Sequence, residues 1–293
     1  MPYSIFNEEN LEHEGGKKMR KIRITFFPLV IIIAFNLQCF AQFTPEEVAE
    51  RAKWEEFLKT AEITGQEQMG GREAVTNPWE LTIEKDGIIR NALWKNPEGR
   101  QKGFLEGWKW EIAAYRLDKL LGLNMVPPTV EKRFKDDRGS CQLWIESKMD
   151  LKEKVEKKIK CPSYKLFHWN RAIYLQRAFD NLIANEDRHQ KQILITDDWR
   201  MILIDHSRSF RTSKKFIKKL IYTEKHKEGP KIMKELPRDF VENLKTLTFE
   251  SIKDVVGEYL TDNEINAVLV RRDLILKEID KRIKEFGEDK VLY

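Results

Sequence analysis

Asp187-Arg188-His189-Gln190-Lys191-Gln192-Ile193-Leu194-Ile195-Thr196-Asp197-Asp198-Trp199-Arg200-Met201-Ile202-Leu203-Ile204-Asp205 decides how the rest of the chain is read. Residues 193–196 and 200–204 are two short runs of branched apolar residues of β type, and the Asp197-Asp198-Trp199 break between them suits a hairpin loop. A hairpin lays the second run back along the first, so Asp205 is expected beside Gln192, with Asp187 in the loop just ahead. Three oxygen-bearing side chains then converge at one end of one ribbon. Mg2+ and Mn2+ favour carboxylate and amide oxygens, completed by water and phosphate. A further carboxylate beside them can orient and deprotonate an attacking hydroxyl, the division of labour that phosphoryl transfer requires. Asp187 or Asp205 taken singly also reads as an ordinary loop acid; their joint spacing favours a site.

Working back towards the amino terminus, residues 61–63, 79–84 and 88–94 read as strands, the last two joined by the turn signal Lys85-Asp86-Gly87. Lys95 closes the third strand. Phe104, Trp108, Ile112, Tyr115 and Leu120 then recur at helical spacing, predicting a helix that carries Glu106 and Glu111 and ends near Gly122, before Val126-Pro127-Pro128. A strand lysine held by a helix glutamate is how kinase folds grip the α- and β-phosphates of a nucleotide. Positions five apart on a helix lie about 140° apart around its axis, so the two glutamates cannot face one point. Met69-Gly70-Gly71-Arg72, between the first two strands, is a plain turn or a flexible loop with Gly70 and Gly71 over the phosphates. Thr44-Pro45-Glu46-Glu47 is a capping box with proline at the first helical position, opening a helix to about Lys59.

Towards the carboxyl terminus, residues 142–146 read as a strand entering a hinge, and 148–160 as a charged crossing. Leu166, Trp169, Ile173, Ala178 and Leu182 mark a long buried helix leading into Asp187, with His168 structural. Residues 208–231 hold nine Lys/Arg against two Glu. That is either a solvated loop or a basic surface suited to acidic acceptors or anionic glycans. Helices are expected at 239–247 and 249–260, with a last one capped by Thr261-x-x-Glu264 and stopped at Gly287.

Residues 1–41 stand apart from the fold. An apolar run at 24–35 follows Arg20, Lys21 and Arg23 and precedes Cys39-Phe40-Ala41, which reads as a secretory signal peptide with Met19 as start and cleavage after Ala41. The run is short of the roughly 20 residues of a membrane span, so no stable span is expected after cleavage. A lipoprotein anchored at Cys39 is the weaker alternative, because Asn36-Leu37-Gln38 is a poor lipobox. The expected location is secreted or periplasmic. The net charge of +5, from 53 Lys+Arg against 48 Asp+Glu, is too mild to indicate nucleic acid. Cys141 and Cys161 remain after cleavage, either paired or as free thiols.

Asn185-Glu186-Asp187-Arg188-His189, followed by Ile204-Asp205-His206-Ser207-Arg208-Ser209-Phe210, resembles the catalytic and metal-binding loops of atypical kinases. These include the phosphatidylinositol 3/4-kinases, the HipA-like kinases and, most similar, the secretory-pathway kinases typified by the Golgi casein kinase and the xylosyl kinase. Ala92-Leu93-Trp94-Lys95, Glu106, Glu111-Ile112-Ala113-Ala114-Tyr115-Arg116-Leu117-Asp118 and Val126-Pro127-Pro128-Thr129-Val130 are similar to their amino-terminal lobe. The resemblance implies Asp187 as catalytic base, His189 near the γ-phosphate, Arg188 as a brace of the loop, Asp205 on metal, and Glu106 as the glutamate near Lys95 and the metal. Glu111 then fixes the helix. Gln192 stands where that pattern has Asn or Glu; its amide oxygen is the candidate second metal ligand.

The expected fold is therefore α+β, a two-lobed kinase-like architecture with a small β-rich lobe at 42–147 and a mainly helical lobe at 148–293, after the leader at 1–41. The expected activity is an extracytoplasmic, ATP-dependent phosphotransferase using Mg2+ or Mn2+ and a protein or glycan hydroxyl. A pseudokinase that binds nucleotide without turnover is the alternative that Gln192 supports. A lipid kinase would share every catalytic residue.

Overall fold

The computed structural model describes residues 42–70, 77–227 and 229–293. The leader, with Met19, Cys39 and Ala41, lies outside the described residues, as does Gly71. Helix α1 (Pro45–Ala49) starts at the Thr44 capping box: the Thr44 hydroxyl accepts from the Glu47 N–H, and the Glu47 carboxylate accepts from the Thr44 N–H. A break at Glu50 separates it from α2 (Arg51–Thr60). Strands β1 (Glu62–Gln68), β2 (Trp79–Lys85) and β3 (Ile88–Lys95) follow. Asp86 and Gly87, both at positive φ, make the two-residue turn between the last pair, as a Asp-Gly hairpin requires.

The next element departs from the expected helix. Residues that the periodicity placed at the helix start, Phe104 and Glu106 among them, form a hairpin of β4 (Glu98–Gln101) and β5 (Phe104–Gly107). Its turn is Lys102-Gly103, at φ 49° and 90°. A left-handed pair is a hairpin signal that outweighs an apolar residue falling in helical register. Helix α3 (Trp108–Leu121) therefore starts four residues after Phe104, and Gly122 ends it in the left-handed region, φ 67°.

Strands β6 (Thr129–Phe134) and β7 (Asp137–Leu143) complete a five-stranded antiparallel sheet of order β1-β2-β3-β7-β6. Beneath it, Phe57 and Leu58 of α2 meet Leu81, Ile83, Trp94 and Val130 in a core of their own. A second, larger core gathers around α5 (Leu166–Ile183), after β8 (Met149–Asp150) and α4 (Leu151–Glu156). Strands β9 (Ile193–Ile195) and β10 (Met201–Leu203) form the expected hairpin, and β8, which the charge of its surroundings hid, pairs with β9. A short α6 (Lys214–Lys218) precedes α7 (Arg238–Thr246), α8 (Phe249–Val256) and the long α9 (Asp262–Phe286). The Thr261–Glu264 box opens α9 and Gly287 stops it; α8 ends earlier than its apolar pattern suggests because Gly257 turns to φ 58°.

Helix α3 belongs to the larger core through Ala113, Ala114, Leu117 and Leu121. It is also tied to α7, α8 and α9. Asn243 donates to the Leu121 carbonyl (3.2 Å), Arg116 to the Val255 carbonyl (2.8 Å), and the Trp110 indole to Glu264 (2.8 Å). Cys141 and Cys161 are free thiols; burial pushes Cys141 up to about 12. Among the described residues no helix is long and apolar enough to cross a membrane.

One close approach sets the lysine strand. A Cβ on Gly139 would lie 2.6 Å from both the Lys95 carbonyl oxygen and the Trp94 ring, so glycine alone lets β7 come this near β3. Gly139→Ala is expected to cost about 1–3 kcal/mol, the range of core overpacking, read as a lowered urea midpoint with unchanged slope.

Candidate active site

The β9–β10 hairpin does what its sequence requires. Leu203 pairs with Ile193, which brings the next residues out at the same end, and Gln192 Nε2 donates to Asp205 Oδ2 at 2.9 Å. The other oxygen, Oδ1, accepts from Lys95 Nζ at 2.8 Å and lies 3.1 Å from Ser207 Oγ. Lys95 is 8% exposed, and its second partner is Glu111 Oε1 at 3.0 Å. The Lys95–Glu106 pairing implied by the resemblance is thus corrected to Lys95–Glu111. Glu111 sits in the first turn of α3 facing the end of β3, whereas Glu106 lies on β5, off the helix altogether. Glu111 also accepts the His206 backbone N–H on Oε2 at 2.9 Å, so it joins the lysine strand to the segment after β10.

Glu106 points elsewhere. Its Oε2 accepts from Ser207 Oγ and its Oε1 from Arg208 Nε, each at 2.5 Å, which commits both oxygens to the protein. Arg208 Nη1 lies 3.1 Å from Asp187 Oδ2. Asp187, its side chain 37% exposed, is the open carboxylate of the group. Asn185 Oδ1 accepts the Asp187 N–H at 3.1 Å, and Arg188 holds the loop from below. Arg188 pairs with the fully buried Asp180 at 3.0 Å and donates to the carbonyls of Gln192 (3.2 Å) and Ile204 (2.6 Å). His189 is exposed beside Asp187, and its N–H donates to Gln192 Oε1 at 3.2 Å. Gly70 is exposed at the end of β1, with open space where a Cβ would stand.

Three left-handed residues flank the site. Ala184, Asp205 and Phe210, none of them glycine, adopt left-handed φ of 49°, 60° and 58°. Such residues persist only where surrounding contacts fix them, and they mark functional segments more often than plain loops. Electrostatics agree. Burial alone would strip Lys95 of its proton, but Asp205 and Glu111 outweigh it and hold the ammonium above its ordinary range. Burial likewise opposes ionisation of Asp205 and Glu111, and Lys95 overcomes it, holding both below the usual carboxylate range. Asp187 goes the other way: burial raises it, and Arg208 and His189 only partly offset the rise. A raised carboxylate and a depressed one side by side are the signature of a base beside a ligand or ion-pair partner.

One donor suits a hard divalent cation: Asp205 is ionised and one-third exposed, while Gln192 turns its N–H2 towards it and gives its oxygen to the His189 N–H. Among the described residues no group of three His, Cys, Asp or Glu forms a self-contained metal cage. Mg2+ seldom uses one, being held by one or two carboxylates together with substrate phosphates. Sequence reasoning had no role for Ser207, Arg208, Glu186 or Asp180, although the first three lie inside the quoted motifs. A serine and an arginine next to a metal-type Asp were the available signal.

No family model and no curated protein matches this sequence. Among solved structures, that of a hydra Fam20 with sugar is similar, with a TM-score of 0.61 and 17% identity over 84% of this chain and 92% of that one. A proinflammatory kinase of Helicobacter pylori, CtkA, gives a TM-score of 0.48 and 13% identity over 79% of this chain and 98% of that one. The hydra likeness shows the fold: it is the α+β, kinase-like fold that the resemblance to the atypical kinases implied.

The ion cluster has a testable pH signature. In the wild type, Asp205 and Glu111 are depressed, so their contribution is present above the ordinary carboxylate range and is lost as pH falls through it. Lys95→Met leaves the buried Glu111 and the partly exposed Asp205 without their cation, which is expected to cost up to roughly 3–5 kcal/mol near neutral pH. Both acids then rise, the native state binds the extra protons, and stability falls as pH rises. Urea midpoints of the variant should therefore be higher at about pH 5 than at about pH 7, an interval over which the parent's contribution from these two acids is already complete.

Proposed function

We propose that residues 42–293 catalyse transfer of the γ-phosphate of ATP to an alcohol group outside the cytoplasm. The observation that carries the reading is the single ammonium of Lys95 shared by Asp205 and Glu111, with Asp187 near enough to Asp205 to feel its charge. Lys95 would grip the α- and β-phosphates, held in place by Glu111. Asp187, raised above the ordinary carboxylate range, takes the proton of the acceptor hydroxyl. His189, which is exposed, would meet the γ-phosphate. Mg2+ or Mn2+ would be held by Asp205 and by the Gln192 amide turned to present its oxygen, and supplies charge neutralisation on the phosphates. Glu106 could join them only by giving up Ser207 and Arg208.

The acceptor we propose is a protein or glycan hydroxyl, with acidic groups nearby. A cleft of about 810 Å³ opens beside Glu186 and Arg188 of the catalytic loop and is bordered by Lys215, Lys219, Lys225 and Lys227. The segment that carries these lysines is anchored: Asn181 of α5 exchanges hydrogen bonds with both the N–H and the carbonyl of Tyr222. The location outside the cytoplasm rests on the sequence of the leader.

The second reading, a nucleotide-binding module without turnover, has one observation in its favour. Gln192 presents its amide N–H2, not its oxygen, to Asp205, and its oxygen is taken by the His189 N–H. Incubation of residues 42–293 with γ-labelled ATP and Mn2+ over a panel of acidic peptides, glycans and phosphoinositides separates the two. Label should enter an acidic peptide or glycan, and Asp187→Ala should lower the rate by about 10²–10⁴-fold while nucleotide still binds. Nucleotide binding with no label in any acceptor would favour the module, and label in phosphoinositides alone would make the protein a lipid kinase.

A further inference from the structure

Arg208 ties together three segments that phosphoryl transfer would need in register. The residue is 9% exposed and its guanidinium stacks over the Phe104 ring at 4.1 Å. One edge bonds Glu106 of hairpin β4–β5 (Nε to Oε1, 2.5 Å), and Nη1 meets Asp187 of the catalytic loop (3.1 Å to Oδ2). The hairpin is pinned beside it, since the Gly107 N–H donates to the Ser207 carbonyl at 2.9 Å. A guanidinium is planar, permanently charged and forked, so its N–H groups meet their partners along fixed in-plane directions, which the rotatable N–H bonds of an ammonium do not impose. Arg208 follows Asp205 by three residues, which places this fork on the segment that also carries the proposed metal ligand.

From this geometry we infer that Arg208 is the positioning residue of Asp187. Glu106 fixes the guanidinium, and the guanidinium fixes the base by Oδ2, leaving Oδ1 to take the acceptor proton. Glu106 then acts through an arginine, not as a ligand of metal or nucleotide. The inference rests on the phosphotransfer reading above and adds what sets its base.

The test compares wild type, Arg208→Lys, Glu106→Gln and the double variant in residues 42–293. Rates are measured with γ-labelled ATP, Mn2+ and an accepted substrate, and binding with a fluorescent ATP analogue and Mn2+. A base displaced by about 1 Å loses on the order of 10²-fold, so each single variant should lower kcat by about 10- to 100-fold. Affinity for the Mn2+–nucleotide should change by less than about threefold. The double variant should be no slower than the slower single one, because both substitutions break one chain of contacts. If Arg208→Lys does not fold, Glu106→Gln carries the same split of kcat against affinity. A kcat within about threefold of wild type in the folded single variants overturns the inference. So does a loss of metal–nucleotide affinity in Glu106→Gln, which would make Glu106 a ligand, or losses that multiply in the double variant. Failure of the wild type to transfer label overturns the phosphotransfer reading and takes this one with it, whereas an active wild type with an unimpaired Arg208→Lys removes only the role of Arg208.

Discussion

Everything in the site hangs on one buried ammonium. Lys95 comes from a sheet with its own core, Glu111 from a helix anchored in the other core, and Asp205 from the end of a β-ribbon. Only the charge that they share makes it tolerable to take Lys95 and Glu111 out of water. That requirement explains the other exacting features nearby: a glycine where β7 must approach β3, a left-handed Asp205, and a glutamate reaching past the lysine to a backbone N–H.

The carboxylates around this centre already have partners within the chain. Asp205 is shared between Lys95 and Gln192, Glu106 between Ser207 and Arg208, and Asp187 leans on Arg208. An incoming polyphosphate with its cation would compete for Lys95 with a carboxylate already in contact, so binding would proceed by exchange of partners at constant charge. Such exchange avoids the desolvation penalty of exposing a bare buried charge, and it favours a ligand that brings metal and phosphate together.

Much of this was legible in the residues. The hairpin at 193–203 followed from two branched runs and an Asp-Asp-Trp break, and the position of Asp205 against Gln192 followed from strand geometry alone. The capped helices at Thr44 and Thr261 were equally plain. What misled was the stretch from Phe104 to Glu111, where helical spacing of apolar residues concealed a hairpin whose only marks are Gly99 and Gly103. The error carried into the site, because it put Glu106 and Glu111 on one helix and left their roles to be divided by analogy. Arg208 and Ser207 escaped for a different reason. Their partners are about a hundred residues away in sequence, and periodicity carries no information about which charges meet across the fold.

Helix α3 has one more implication. Its apolar face is part of the body built from α5 and the carboxyl-terminal helices, and three hydrogen bonds stitch its flanks to α7, α8 and α9. Swinging it outward to separate Glu111 from Lys95 would tear open the largest apolar interior in the molecule. The pair is thus held by the packing of the helical core, whereas the β4–β5 hairpin joins the site through a few polar contacts from Leu105, Glu106 and Gly107.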